Sequence, residues 1–149
     1  MFKPTALVIH CSATEDGETV SWQAIRRWHM GQHPKSPYRN NPWRDIGYHW
    51  GVEYVHAEPE ILIGRLPDVI GAHAQGHNHY TLGVCIVGDF DKYKPSEMIW
   101  NKTVALCRWV VKEFKIAEVL GHRELDSGKT CPGLKFDIAA FRMELKYGR

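Results

Sequence analysis

Long apolar runs are missing from this 149-residue chain, and with them any stretch of about 20 residues able to cross a bilayer as a helix. No membrane partner is expected. No charged, apolar and small-residue leader precedes the strand-like run after Met1-Phe2-Lys3-Pro4, so delivery to a cell envelope is expected to depend on something else. Charge of one sign is scarce as well. The net charge is only +2, and the basic residues do not gather into a block, which leaves out the electrostatic footprint of a nucleic-acid binder. Cysteine is limited to Cys11, Cys85, Cys107 and Cys131, expected as reduced thiols in a chain with no secretion leader. Repeats, linkers and low-complexity stretches are also lacking. The remaining composition, 44% hydrophobic and 24% charged, suits one soluble domain over residues 1–149 with one core and one site.

The apolar pattern orders the chain. Thr5 to His10 reads as a buried strand ending on a histidine that emerges at the sheet edge. Ser21 suits the N-cap of a helix with Trp22, Ile25 and Trp28 on one face and Gly31 at its end. Gln32 to Arg44, with three Pro and two Asn, reads as a long loop. Tyr48 to His56 and Ile61 to Gly64 form a hairpin about a predicted Glu58-Pro59 turn. Leu82 to Val87 has the continuous apolar character of a central strand, in which Cys85 is a small buried hydrophobe. Pro95 and Ser96 open the longest helix, running to about Lys115 with Trp100, Val104, Cys107, Val111 and Phe114 on its inner stripe. Val119-Leu120 is a short strand ending at His122, and Asp137 caps a terminal helix stapled by Phe136 and Phe141. Loosely alternating strands and helices with a hairpin predict an α/β fold: a mixed central β-sheet packed between helices, in a single domain.

Three residues have the chemistry of a metal site. His122 and Cys131 lie nine positions apart on a Gly- and Pro-punctuated loop, and His10 ends a strand far upstream. Two imidazoles and a thiolate supply the three protein donors of a catalytic zinc, with a fourth position left for water. Adjacent strand residues face opposite ways, so only one of His10 and Cys11 reaches such a site, and spacing leaves the choice open. Tyr48 and Lys129 are candidate donors to the oxygen that gains negative charge when an amide carbonyl is attacked.

Several segments in order resemble the type 2 N-acetylmuramoyl-L-alanine amidases, which share a superfamily with the peptidoglycan recognition proteins. They are Val8 to Thr14, Ile25 to His29, Asp45 to Trp50, Gly71 to Asn78, Leu82 to Gly88, Gly121 to Glu124 and Lys129 to Gly133. The resemblance implies a zinc enzyme that cleaves the amide between the lactyl group of N-acetylmuramic acid and the L-alanine of the stem peptide. It makes His10, His122 and Cys131 the zinc ligands and Tyr48 and Lys129 the catalytic residues. His73 and Asn78 become candidates for binding substrate. Proton transfer to the leaving amine falls to Tyr48 or to a relay through the metal's water.

Cys131 and Cys85 stand where the cytoplasmic recycling branch carries an acidic ligand and a Glu, so the chain looks closer to the lysozyme-like phage enzymes. It departs from them in a longer loop from Gly31 to Arg44. The implied role is a phage-type endolysin, made in the cytoplasm of an infected bacterium and reaching the periplasm and cell wall through a membrane lesion or holin. Its expected partner is peptidoglycan, and a monomer is expected. The rival roles are anhydro-muropeptide recycling and peptidoglycan binding without cleavage, the latter disfavoured by the presence of Cys131. Some phage members of this branch also bind and inhibit an RNA polymerase, which adds that enzyme to the candidate partners.

Overall fold

The computed structural model describes residues 1–14 and 21–147. Its elements are β1 (Ala6–Cys11), α1 (Trp22–His29), β2 (Trp50–Val55), β3 (Glu58–Ile63), β4 (Thr81–Ile86), α2 (Glu97–Phe114), β5 (Glu118–Gly121), the single turn α3 (His122–Leu125) and α4 (Ile138–Tyr147). The strands form one sheet in the order β3-β2-β4-β1-β5. β1 runs parallel to β4 and β5, β2 runs parallel to β4, and only the β2–β3 hairpin is antiparallel. This is the mixed sheet expected, with helices on both faces.

The strand period of two assigns each residue of the central strands to a face. Leu7, Ile9 and Cys11 of β1 and Leu82, Val84 and Ile86 of β4 enter the main core with Ile99, Leu106, Val110 and Phe141 of α2 and α4. On the other face, Cys85 joins Trp22 of α1 and Ile46 in a smaller cluster that packs against Tyr48. Full burial of each large aliphatic side chain contributes about 1.5–3 kcal/mol, so the first cluster supplies most of the drive for folding.

Local chemistry sets the ends of the elements. Ser21 Oγ accepts from Ala24 N at 3.3 Å and Ser96 Oγ from Ile99 N at 3.2 Å, each satisfying a donor left over at a helix start. Asp137 does the same for Ala140 N at 2.9 Å, and the Phe136 and Phe141 rings meet at 5.4 Å. Gly31, with φ of 69°, follows α1 as anticipated.

Two expectations need correction. The hairpin turns at His56-Ala57, whose φ values of 51° and 66° give the twist of a two-residue turn, while Glu58-Pro59 lie within β3. Pro59 is tolerated because β3 is an edge strand, where a missing N–H costs no ladder bond. The inner stripe of α2 is also rotated. Ile99, Thr103, Leu106 and Val110 are buried with Val104 and Cys107, while Trp100, Val111 and Phe114 pack at the core margin.

Candidate metal centre and active site

Parallel pairing puts the two histidines side by side. β5 runs next to β1 with Gly121 opposite Ile9, so His122, one residue past β5, falls beside His10 at the carboxyl end of the sheet. Their rings lie 4.6 Å apart. Cys131 closes the group, its Sγ 3.6 Å from His10 Nδ1, and the ligand atoms of His10, His122 and Cys131 all lie within 4.8 Å of one another. His10 is only 1% exposed, deeper than a strand end at the sheet edge was expected to be. The choice between His10 and Cys11 follows from the pleat. Cys11 faces the α2 core, and its backbone N–H donates to Cys131 Sγ at 3.3 Å.

The Cys131 loop is held down by residues that sequence reasoning passed over. Arg123 N donates to Cys131 O at 2.7 Å, and its guanidinium donates to Gly133 O at 2.7 Å and Phe136 O at 3.0 Å. Asp91 accepts from Thr130 Oγ1 at 2.9 Å and Leu134 N at 2.8 Å. Gly133, with φ of 124°, lies so close to Phe90 that a Cβ would sit 2.5 Å from its carbonyl carbon. Arg123 follows His122 directly, a placement that offered a sequence signal; Asp91 offered none.

The electrostatics of the group suit a divalent cation. Burial, with His73 and His122 nearby, drives His10 well below its ordinary value. Burial and the Lys129 ammonium lower His122. Both imidazoles therefore present lone pairs at neutral pH. The hydrogen bond to the Cys11 thiol, then burial, raise the Cys131 thiol against the lowering by the Cys11 backbone N–H, so its ionisation calls for a positive charge at this spot. Two neutral nitrogens and a sulfur that needs a cation fit the donor set of a borderline-soft divalent metal.

Tyr48 borders the group, its ring 5.1 Å from that of His10. Burial, then the thiols of Cys85 and Cys131, push its phenol up, so it remains a proton donor at neutral pH. The long loop after α1 helps to place it. Trp43 makes tilted ring contacts with His29 at 4.6 Å and Tyr38 at 4.5 Å, and His29 Nδ1 accepts the N–H of Gly47, next to Tyr48, at 3.0 Å. A Cβ on Gly47 would lie 2.1 Å from Ala72 O, so the chain passes where only glycine fits. Lys129 is exposed at the rim, near enough for its charge to act on His122.

His73 and Asn78 have internal tasks. His73 is 8% exposed, with Nδ1 2.9 Å from His10 Nε2 and Nε2 3.4 Å from Thr81 Oγ1. Asn78 Oδ1 accepts from His73 N and Ala74 N, both at 2.9 Å, and so fixes the segment that carries His73. Both ring nitrogens of His73 and the amide oxygen of Asn78 are thus engaged within the protein.

Comparison with known proteins agrees with this geometry. The family model of the N-acetylmuramoyl-L-alanine amidases matches residues 2–134. The endolysin of Escherichia phage T7 is 30% identical over 140 residues, covering 89% of this chain and 82% of that protein. Peptidoglycan-recognition protein SD of Drosophila simulans is 30% identical over 135 residues, covering 87% of this chain and 67% of its own length. Among solved structures, the endolysin amidase LysCS from Clostridium intestinale URNW superposes with a TM-score of 0.78 at 22% identity, covering 97% of this chain and 85% of that one. A matched segment that holds the strands, the paired histidines and the cysteine loop makes this chain a member of the N-acetylmuramoyl-L-alanine amidase family.

Proposed function

We propose that this chain is a zinc-dependent endolysin that hydrolyses the amide between N-acetylmuramic acid and the L-alanine of the peptidoglycan stem. One observation carries the reading: the donor atoms of His10, His122 and Cys131 lie within 4.8 Å of one another beside Tyr48, in a chain matched by the amidase family. His10, His122 and Cys131 would hold the ion. When bound, zinc supplies Lewis-acid polarisation of the scissile carbonyl and acidification of water. Tyr48, kept protonated by burial, donates a hydrogen bond to the carbonyl oxygen as negative charge grows on it. Lys129 adds a positive charge from the rim. The wall is the proposed place of action, reached through a membrane lesion or holin.

The test is mass spectrometry of products from intact sacculi. Stem peptides with a free L-alanine amine, and glycan that keeps its lactyl groups, are expected; a chelator abolishes them and added zinc restores them. Cleavage at any other bond, or turnover indifferent to the chelator, contradicts the assignment. Preference for soluble anhydro-muropeptide over sacculi would move the protein to a recycling role.

A further inference from the structure

The inner face of β4 lies beside the metal group, and its alternate residues each support it. Cys85 packs on Tyr48. Gly83 leaves the space that the His73 ring occupies, since a Cβ there would come within 2.7 Å of the ring. Thr81, fully buried, meets His73 Nε2 and donates its hydroxyl proton to His77 O at 2.8 Å.

That last bond determines the protons along the whole row. A hydroxyl has one proton, and here the His77 carbonyl takes it, so Thr81 Oγ1 can only accept from His73. His73 must then carry its proton on Nε2, which leaves Nδ1 as a bare acceptor. His10 Nε2, 2.9 Å away, must supply a proton to that acceptor. The lone pair of His10 is thereby fixed on Nδ1, the nitrogen beside Cys131 Sγ. The opposite arrangement sets two lone pairs against each other at Thr81 and puts a proton on His10 where a cation would bind.

We propose that Thr81 and His73 are positioning residues that lock the tautomer of His10 and so set the metal affinity of the site; this rests on the zinc reading given above. A metal-ligating imidazole needs its remote N–H engaged, and here the partner is a second histidine made to accept by a buried threonine.

The test compares zinc-loaded wild type with Thr81→Val, which keeps the shape and removes the hydroxyl, and Thr81→Ser, which keeps the hydroxyl. Competition with a chromophoric chelator should show zinc held about 10–100-fold more weakly in Thr81→Val and within about threefold of wild type in Thr81→Ser. Equal affinity in all three, or equal losses in both variants, overturns the relay and leaves the zinc reading standing. Failure of wild type to retain zinc overturns the zinc reading itself. Independently of any variant, long-range nitrogen–proton NMR of the zinc-loaded wild type should find the His73 proton on Nε2; a proton on Nδ1 overturns the proposal.

Discussion

Acid should weaken this fold well before the carboxylates titrate, and His49 shows why. Its side chain is wholly buried; Nδ1 accepts from Gly83 N at 3.0 Å and Nε2 donates to Val69 O at 2.8 Å. Only the neutral ring can fill both roles. Burial, joined by the charge of Arg65, lowers its pKa from 6.5 to about 4. The unfolded chain therefore binds a proton between those values that the folded chain does not. The stability this group contributes is complete above pH 6.5, begins to fall there, and is gone by about pH 4. At about 1.36 kcal/mol per pH unit the full loss is about 3 kcal/mol, with about 1.4 kcal/mol already lost at pH 5.5. His29, lowered to about 4 first by burial and then by Arg65, adds a loss of the same sign. Against a total stability of about 5–15 kcal/mol, the two together are a large share. Urea unfolding at pH 7.5, 6.5 and 5.5, with chelator present to remove metal linkage, measures the slope. NMR titration of the His49 ring locates its pKa. A ring that titrates near 6.5 in the folded protein, or stability that is flat between pH 7.5 and 5.5, would refute the reasoning.

Cys131→Ser should lose bound zinc and turnover together, read by metal analysis and product release; zinc-dependent turnover at the wild-type rate would remove Cys131 from the ligand set. Lys129→Ala should retain zinc and lower kcat about 100-fold, the typical loss for one donor to a developing oxyanion, and an unchanged kcat would exclude it from the mechanism. Arg123→Ala removes the guanidinium from Gly133 O and Phe136 O while Cys131 O keeps the main-chain N–H of residue 123, so zinc affinity should fall about 10-fold with the far-ultraviolet spectrum unchanged. Ser96→Ala removes the acceptor that caps α2 and should cost about 1 kcal/mol in urea unfolding.

Much of the frame was legible because its signals are local. A serine before an apolar period names a helix start: Ser21 caps α1 where expected, and Ser96, read as part of the opening of α2, proves to be its cap. Continuous β-branched runs name central strands, as in β1 and β4. The errors came where local signals are ambiguous. Glu58-Pro59 has turn-like composition, but the positive φ of His56 and Ala57 is set by strand pairing, and neither residue type advertises it. The α2 stripe slipped because Trp100 and Phe114 are strongly apolar yet sit at the core margin.

By itself the sequence determined which side chains could bind a metal and which strands would be buried, since donor chemistry and apolar period belong to the residues. The family resemblance chose His10 from a strand that also offered Cys11. Only the tertiary structure supplied the reason, because the pleat turns Cys11 into the α2 core and the parallel register of β1 and β5 sets His10 beside His122. It also showed that His73 bonds His10 and that Asn78 holds the segment carrying His73. Which nitrogen of a histidine holds its proton depends on partners far away in sequence, here Thr81 and the His77 carbonyl, and no spacing rule within the chain encodes that.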